Sequence, residues 1–200
     1  MNLALYFTFL RIFIIPLFPV IYLEYAALDI PLEWVPYLLF LILLFCESTD
    51  VIDGFLARKR NQVTDLGKIL DPMADTLTRI SVLFTFTQGS IGVPLLLVLV
   101  LLYREFFIST LRTICALKGF ALAARTSGKV KAFLLSMVSF LILILFLLFT
   151  SGAISLYLLQ KLSLLLVSCA AIYSVGSAID YAYANRRYLR KALRVQKPLV

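Results

Sequence analysis

Asp50-Val-Ile-Asp53-Gly54-Phe-Leu-Ala57-Arg58 is followed by eight residues and then by Gly67-Lys-Ile-Leu-Asp71-Pro-Met-Ala-Asp75. These four carboxylates and one arginine sit between long apolar runs, in a chain of 200 residues of which 62% are hydrophobic. A charge near the centre of a bilayer costs about 2.5–3.5 kcal/mol on insertion scales, so acids kept there mark a functional site by default. Clustered acids also repel one another, by about 4 kcal/mol for two charges ~4 Å apart at an effective dielectric of about 20. A positive partner is required, and Arg58 and Lys68 can neutralise at most two of the four.

Outside this stretch the composition sets the class. The mean hydropathy of +0.99 and an apolar share well above the roughly 45–50% of soluble domains describe an integral membrane protein. Only helices or closed barrels satisfy backbone polar groups in lipid, and apolar runs this long are not barrel strands, so the fold is expected to be all-α. The formal charge is +8, but no soluble basic domain is available to present to nucleic acid, and none is expected as a partner. Juxtamembrane lysines and arginines that fix topology account for the charge. Cys46, Cys115 and Cys169 fall in apolar stretches without paired spacing and read as small hydrophobes. Histidine is absent, which leaves proton transfer to a carboxylate, lysine, tyrosine or water.

Six membrane-spanning helices are expected, over residues 3–23, 34–58, 65–88, 95–117, 132–149 and 154–183, as one membrane-embedded domain covering 1–200. The first carries Arg11 in its middle and Pro16 and Pro19 in its second half. A signal peptide would have its charge at the start and a small-residue cleavage site, and neither is clear here, so a membrane-spanning helix is expected. The last exceeds the ~20 residues that span a hydrocarbon core and is expected to tilt or project. Orientation follows from charge. Arg58, Lys59, Arg60 and Lys68 lie in one connection, and Lys118, Arg125, Lys129 and Lys131 in another. The tail holds Arg186, Arg187, Arg190, Lys191, Arg194 and Lys197, and the opposite connections hold no base. The positive-inside rule then places the acidic stretch and both termini in the cytoplasm.

On a helix, residues three and four apart share a face, so Asp50, Asp53, Gly54, Ala57 and Arg58 form one stripe and Asp71 and Asp75 another. Gly54, Ala57 and Gly67 are small where a close helix approach or a ligand needs room. Pro72 suits a first helical turn, where its missing N–H costs least. Converging carboxylates suit hard divalent cations such as Mg²⁺, which combine one or two protein carboxylates with water and substrate phosphate. Two such ions can stabilise the attacking and leaving oxygens of a phosphoryl displacement. Arg58 is a natural phosphate partner. Two other readings remain at this level: an ion-pair cluster without chemistry, and the ion site of a divalent-cation transporter.

The pattern Asp50-x-x-Asp53-Gly54-x-x-Ala57-Arg58, eight residues, Gly67-x-x-x-Asp71-x-x-x-Asp75 resembles the complete signature of the CDP-alcohol phosphatidyltransferase family. The resemblance implies a six-helix membrane enzyme that moves a phosphatidyl or related group from a CDP-linked donor to an acceptor hydroxyl and releases CMP. It implies that Asp50, Asp53, Asp71 and Asp75 hold two divalent metals, Mg²⁺ or Mn²⁺, and that Asp75 takes the acceptor proton. Gly54, Ala57, Arg58, Thr64 and Gly67 would line the nucleotide and pyrophosphate site. Further stretches are similar to the bacterial subgroup that uses CDP-diacylglycerol and sn-glycerol 3-phosphate: Thr8-x-x-Arg11, Arg58-Lys-Arg-Asn61-Gln62-Val-Thr64, Leu70-Asp71-Pro72, Arg104-Glu105-Phe-Phe-Ile-Ser109 and Gly128-Lys129-Val-Lys131. Leu5, Thr76 and Ala132 depart from that subgroup's usual asparagine, lysine and threonine. By this resemblance Arg104, Arg112, Lys129 and Lys131 bind the acceptor phosphate, and the enzyme is a homodimer of the cytoplasmic membrane. Inositol or its phosphate, serine, a choline-type alcohol and phosphatidylglycerol are the alternative acceptors within the family.

Overall fold

The computed structural model describes the backbone of residues 3–59, 65–117 and 126–186, with side chains except at 3–5, 50–59, 65–69, 71, 72, 112, 116 and 117. Seven α-helices and no strand occur among the described residues. They are α1 (Leu3–Ile14), α2 (Leu17–Glu24), α3 (Val35–Lys59), α4 (Asp65–Thr85), α5 (Leu95–Leu117), α6 (Thr126–Thr150) and α7 (Leu156–Ala184).

The helix expected over 3–23 is two helices. Pro16 has no N–H to donate, so the ladder stops at Ile15, whose N–H still reaches the Arg11 carbonyl at 2.9 Å. Pro16 caps α2 and Pro19 sits in its first turn, where no backbone donor is needed. The break lets both Ile15 and Phe18 point into the core. The helix expected from 132 begins instead at Thr126, and its first turns are tied to neighbouring helices through Ser127 and Lys131. The helix expected to reach 88 stops at Thr85, whose hydroxyl donates to the Ser81 carbonyl at 2.7 Å.

α6 packs most extensively on α7, α1 on α3 and α4, and α5 on α7, while α3 also contacts α6 and α4. One continuous apolar core runs through Phe18, Leu39, Leu43, Phe86, Ile142, Phe146, Leu159 and Val167. Phe18 meets Phe86 edge-on at 5.9 Å and Tyr22 meets Phe146 at 5.5 Å. Phe13, Leu96, Phe133 and Ile172 stand exposed on the outside, an apolar surface that suits lipid rather than water. Among the described residues, three stretches are long and apolar enough to cross a membrane: Tyr6–Glu24, Thr126–Thr150 and Leu156–Ala184. The 29 residues of α7, at 1.5 Å each, reach about 43 Å.

The bundle has two unlike ends. At one, turns 25–34, 86–94 and 151–155 come together. The Tyr22 hydroxyl donates to the Gln88 carbonyl at 2.9 Å and accepts from the Ile91 N–H at 3.3 Å, and Gln160 donates to the Ser90 carbonyl at 3.2 Å. Gly89 has φ +63, and a Cβ there would lie 2.9 Å from the Tyr22 hydroxyl oxygen. Gly152 has φ +76 with open space around it. Gly152→Ala should therefore cost only the left-handed backbone term, about 1 kcal/mol, and Gly89→Ala about 1–3 kcal/mol because Tyr22 must also move. Thermal unfolding in detergent checks the order; equal losses would contradict the Tyr22 contact.

Candidate functional site at the charged end of the bundle

The other end carries the buried charges. α1 turns Thr8 and Arg11 inward, three apart, with Ile15 following just past its end, while Phe13 faces out. α4 turns Ala74, Thr78 and Val82 inward and Met73 and Leu77 outward. Asp75 sits at the edge of that stripe, so it meets α1 yet remains partly accessible. Arg11, 2% exposed, donates from Nη1 to Asp75 Oδ1 at 2.7 Å. Arg79, one turn further along α4, brings Nη2 within 3.5 Å of the other carboxylate oxygen. Arg11, Cys46, Glu47, Asp75, Thr78 and Arg79 line a small cleft. Glu47, on α3, is fixed by the Ser136 hydroxyl of α6, which donates to Oε1 at 2.6 Å.

A second cluster joins α5, α6 and α7. Arg104 donates from Nη1 to Glu105 Oε1 at 2.9 Å, from Nε to the Ser174 carbonyl at 3.2 Å and from Nη2 to the Ser177 hydroxyl at 3.1 Å. The Lys131 ammonium, 5% exposed, donates to the same Glu105 oxygen. Two nearly buried cations thus share one carboxylate. Near the start of α6, the Ser127 hydroxyl donates to Asp180 of α7 at 2.8 Å. Gly128, Lys129 and Lys131 therefore belong to the first turns of a helix and not to a loop.

The residues expected to form the site fall as follows. Asp50, Asp53, Gly54, Ala57 and Arg58 lie on α3, and Gly67 and Asp71 on α4, with only their backbone described. Thr64 lies outside the described residues. Asp75 is therefore the member of the acidic set whose side chain is described, and its cations come from Arg11 and Arg79. Among the described residues no group of three or more Cys, Asp or Glu side chains converges. Of the four cations expected at the acceptor phosphate, Arg104 and Lys131 are engaged by Glu105. Lys129 is exposed, and Arg112 lies on α5 with its side chain undescribed. Arg79, Glu47 and Glu105 were not among the expected site residues. Their signal was a charge in an otherwise apolar helix, the signal already read at Arg11 and Asp75.

Fold and cleft together define a helical membrane protein that concentrates its buried ionisable groups at one end of the bundle. The chain belongs to the CDP-alcohol phosphatidyltransferase family, whose profile matches residues 1–172. It is similar to proteins named CDP-diacylglycerol–glycerol-3-phosphate 3-phosphatidyltransferase. The one from Bacillus subtilis (strain 168) is 37% identical over 139 residues, covering 65% of this chain and 70% of the relative. The one from Rickettsia bellii (strain RML369-C) is 38% identical over 133 residues, covering 66% and 70%. The one from Treponema pallidum (strain Nichols) is 35% identical over 91 residues, covering 46% and 42%.

Glu105→Gln should leave Arg104 and Lys131 as uncompensated cations and lower stability by about 3–5 kcal/mol. Lys129→Gln, at an exposed position of the same helix turn, should stay within about 0.5 kcal/mol. Unfolding midpoints of the two variants in one detergent measure both. A Glu105 variant as stable as the wild type would contradict the shared ion pair.

Proposed function

We propose that this chain transfers the phosphatidyl group of CDP-diacylglycerol to sn-glycerol 3-phosphate, giving phosphatidylglycerophosphate and CMP. The observation that carries this reading is the complete eight-position signature from Asp50 to Asp75, in a chain whose family membership is established. The acceptor rests on the relatives named for glycerol 3-phosphate.

Asp75 removes the proton from the acceptor hydroxyl. The freed oxygen attacks the β-phosphorus of the donor; a P–O bond forms to glycerol phosphate, the pyrophosphate P–O bond breaks, and CMP leaves with the bonding pair. Arg11 orients the base by holding Oδ1 of Asp75 at 2.7 Å, which leaves Oδ2 with the longer contact to Arg79. Gly54, Ala57, Arg58, Thr64 and Gly67 line the CDP and pyrophosphate site. The chemistry of the donor set fits a hard divalent cation, since all four residues are aspartates and the helices that carry them, α3 and α4, touch. Asp50, Asp53, Asp71 and Asp75 would hold two ions, Mg²⁺ or Mn²⁺, which when bound neutralise charge on the pyrophosphate and on departing CMP. Arg104, Arg112, Lys129 and Lys131 draw the acceptor phosphate to this end, and direct contact with Arg104 or Lys131 requires each to leave Glu105.

The chain makes six crossings of the bacterial cytoplasmic membrane as one domain, with α1 and α2 forming a single crossing. The charged end and both termini face the cytoplasm, where soluble CMP and glycerol phosphate exchange while the lipid stays in its leaflet. The functional unit is a homodimer.

Purified enzyme supplied with labelled CDP-diacylglycerol, Mg²⁺ or Mn²⁺ and a panel of acceptors should release CMP with glycerol 3-phosphate. It should do so poorly with inositol, inositol phosphate, serine, choline or phosphatidylglycerol. Asp75→Asn should lower turnover by about 10²–10⁴-fold. Turnover with another alcohol and none with glycerol 3-phosphate would overturn the acceptor. Metal flux through vesicles without CMP release would favour a transporter.

A further inference from the structure

Four cations with described side chains stand around the cleft and its neighbouring cluster, and they are not equally occupied. Arg11 is held by Asp75 at 2.7 Å. Arg104 uses all three guanidinium nitrogens, and Lys131 is held by Glu105. Among the described residues Arg79 has only the 3.5 Å approach to Asp75, and its Nε is buried without a hydrogen-bond partner. The residue before it repeats the pattern. Thr78 is 4% exposed, and its hydroxyl, also buried, has no partner among the described residues.

Both residues line the same cleft as Asp75. Buried donors without partners are rare in native structures, and each asks for a ligand or water that completes it. Here the two are adjacent, one is a permanent cation, and they lie one helical turn beyond the base.

We propose that Thr78 and Arg79 anchor the phosphate monoester of the acceptor, an inference that rests on the transfer reaction proposed above. The Thr78 hydroxyl and Arg79 Nε donate to phosphate oxygens, while Asp75 faces the reacting hydroxyl. One turn of helix rises about 5.4 Å, close to the reach of a three-carbon chain from its terminal hydroxyl to its phosphate ester. The pair thus measures the acceptor as well as binding it. A dianion swings Arg79 away from Asp75, a movement that only the long contact opposes, and this opens a cleft that otherwise admits little more than water. Thr78 and Arg79 so favour a phosphorylated short alcohol over a neutral one.

The test is the Michaelis constant for each substrate in Thr78→Val, Arg79→Gln and Arg79→Lys, alongside thermal stability. Thr78→Val and Arg79→Gln should each raise KM for glycerol 3-phosphate about tenfold or more and leave KM for CDP-diacylglycerol within about twofold, with Arg79→Lys recovering part of the loss. Thr78→Val should not lower the melting temperature, since it removes an unsatisfied buried hydroxyl. This separates binding from packing and keeps the test open if Arg79→Gln fails to fold. Glycerol 3-phosphate KM values unchanged in Thr78→Val, or equal rises for both substrates, overturn the anchor while wild-type turnover leaves the parent reaction standing. Wild-type enzyme that releases no CMP with glycerol 3-phosphate overturns both.

Discussion

Asp75 is held by Arg11 at 2.7 Å across 64 residues of sequence, and this contact is the constraint on which the charged end depends. An arginine on α1, 2% exposed, is tolerable in an apolar bundle only with a carboxylate beside it. An aspartate on α4 among further acids is tolerable only with a cation beside it. Each side chain removes the other's penalty, and in doing so fixes α1 against α4. The Pro16 break then turns α2 so that Phe18 and Tyr22 reach the core and the far turns. An aspartate that is also a structural partner is oriented without a dedicated support.

The two ends of the bundle divide the work of stability and chemistry. At the far end the turns are tied by neutral hydrogen bonds around Tyr22 and by a glycine that leaves room for its ring. At the charged end, Glu105 gathers Arg104 and Lys131 from two helices, and Arg104 reaches on to a third. Such clusters contribute little net stability, because desolvation offsets their attraction. They do specify one arrangement of α5, α6 and α7. That arrangement stands beside the Asp75 cleft and gives it a surplus of positive charge, which suits a substrate carrying phosphates.

Much of this was legible in the residues, because lipid makes charge expensive and so makes charged positions informative. The need for a cation near the acids followed from Asp50, Asp53, Asp71 and Asp75 alone. Its source did not: Arg58 and Lys68 were the neighbours in sequence, whereas Arg11 arrives from another helix. Lys129 and Lys131 read as loop residues because charge normally marks a helix boundary; Glu105, which makes Lys131 a buried helix residue, lies 26 positions away. Arg104 and Arg112 were expected at the acceptor phosphate by resemblance, but a motif along one helix says nothing of Ser174 and Ser177 on another. The break at Pro16 was visible as two prolines, while the turn it makes depends on what Ile15 and Phe18 bury against.

The most direct measurement is a double-mutant cycle on the contact that organises the site. Wild type, Arg11→Gln, Asp75→Asn and the double variant would be unfolded in the same detergent, with a chelator present so that no metal competes for the carboxylate. If Arg11 and Asp75 compensate each other as described, each single change removes the nearest counter-charge of the other residue, and the coupling energy is about 1–3 kcal/mol. The double variant is then more stable than the sum of the singles allows. A coupling of about zero, with the two changes simply adding, would contradict the account.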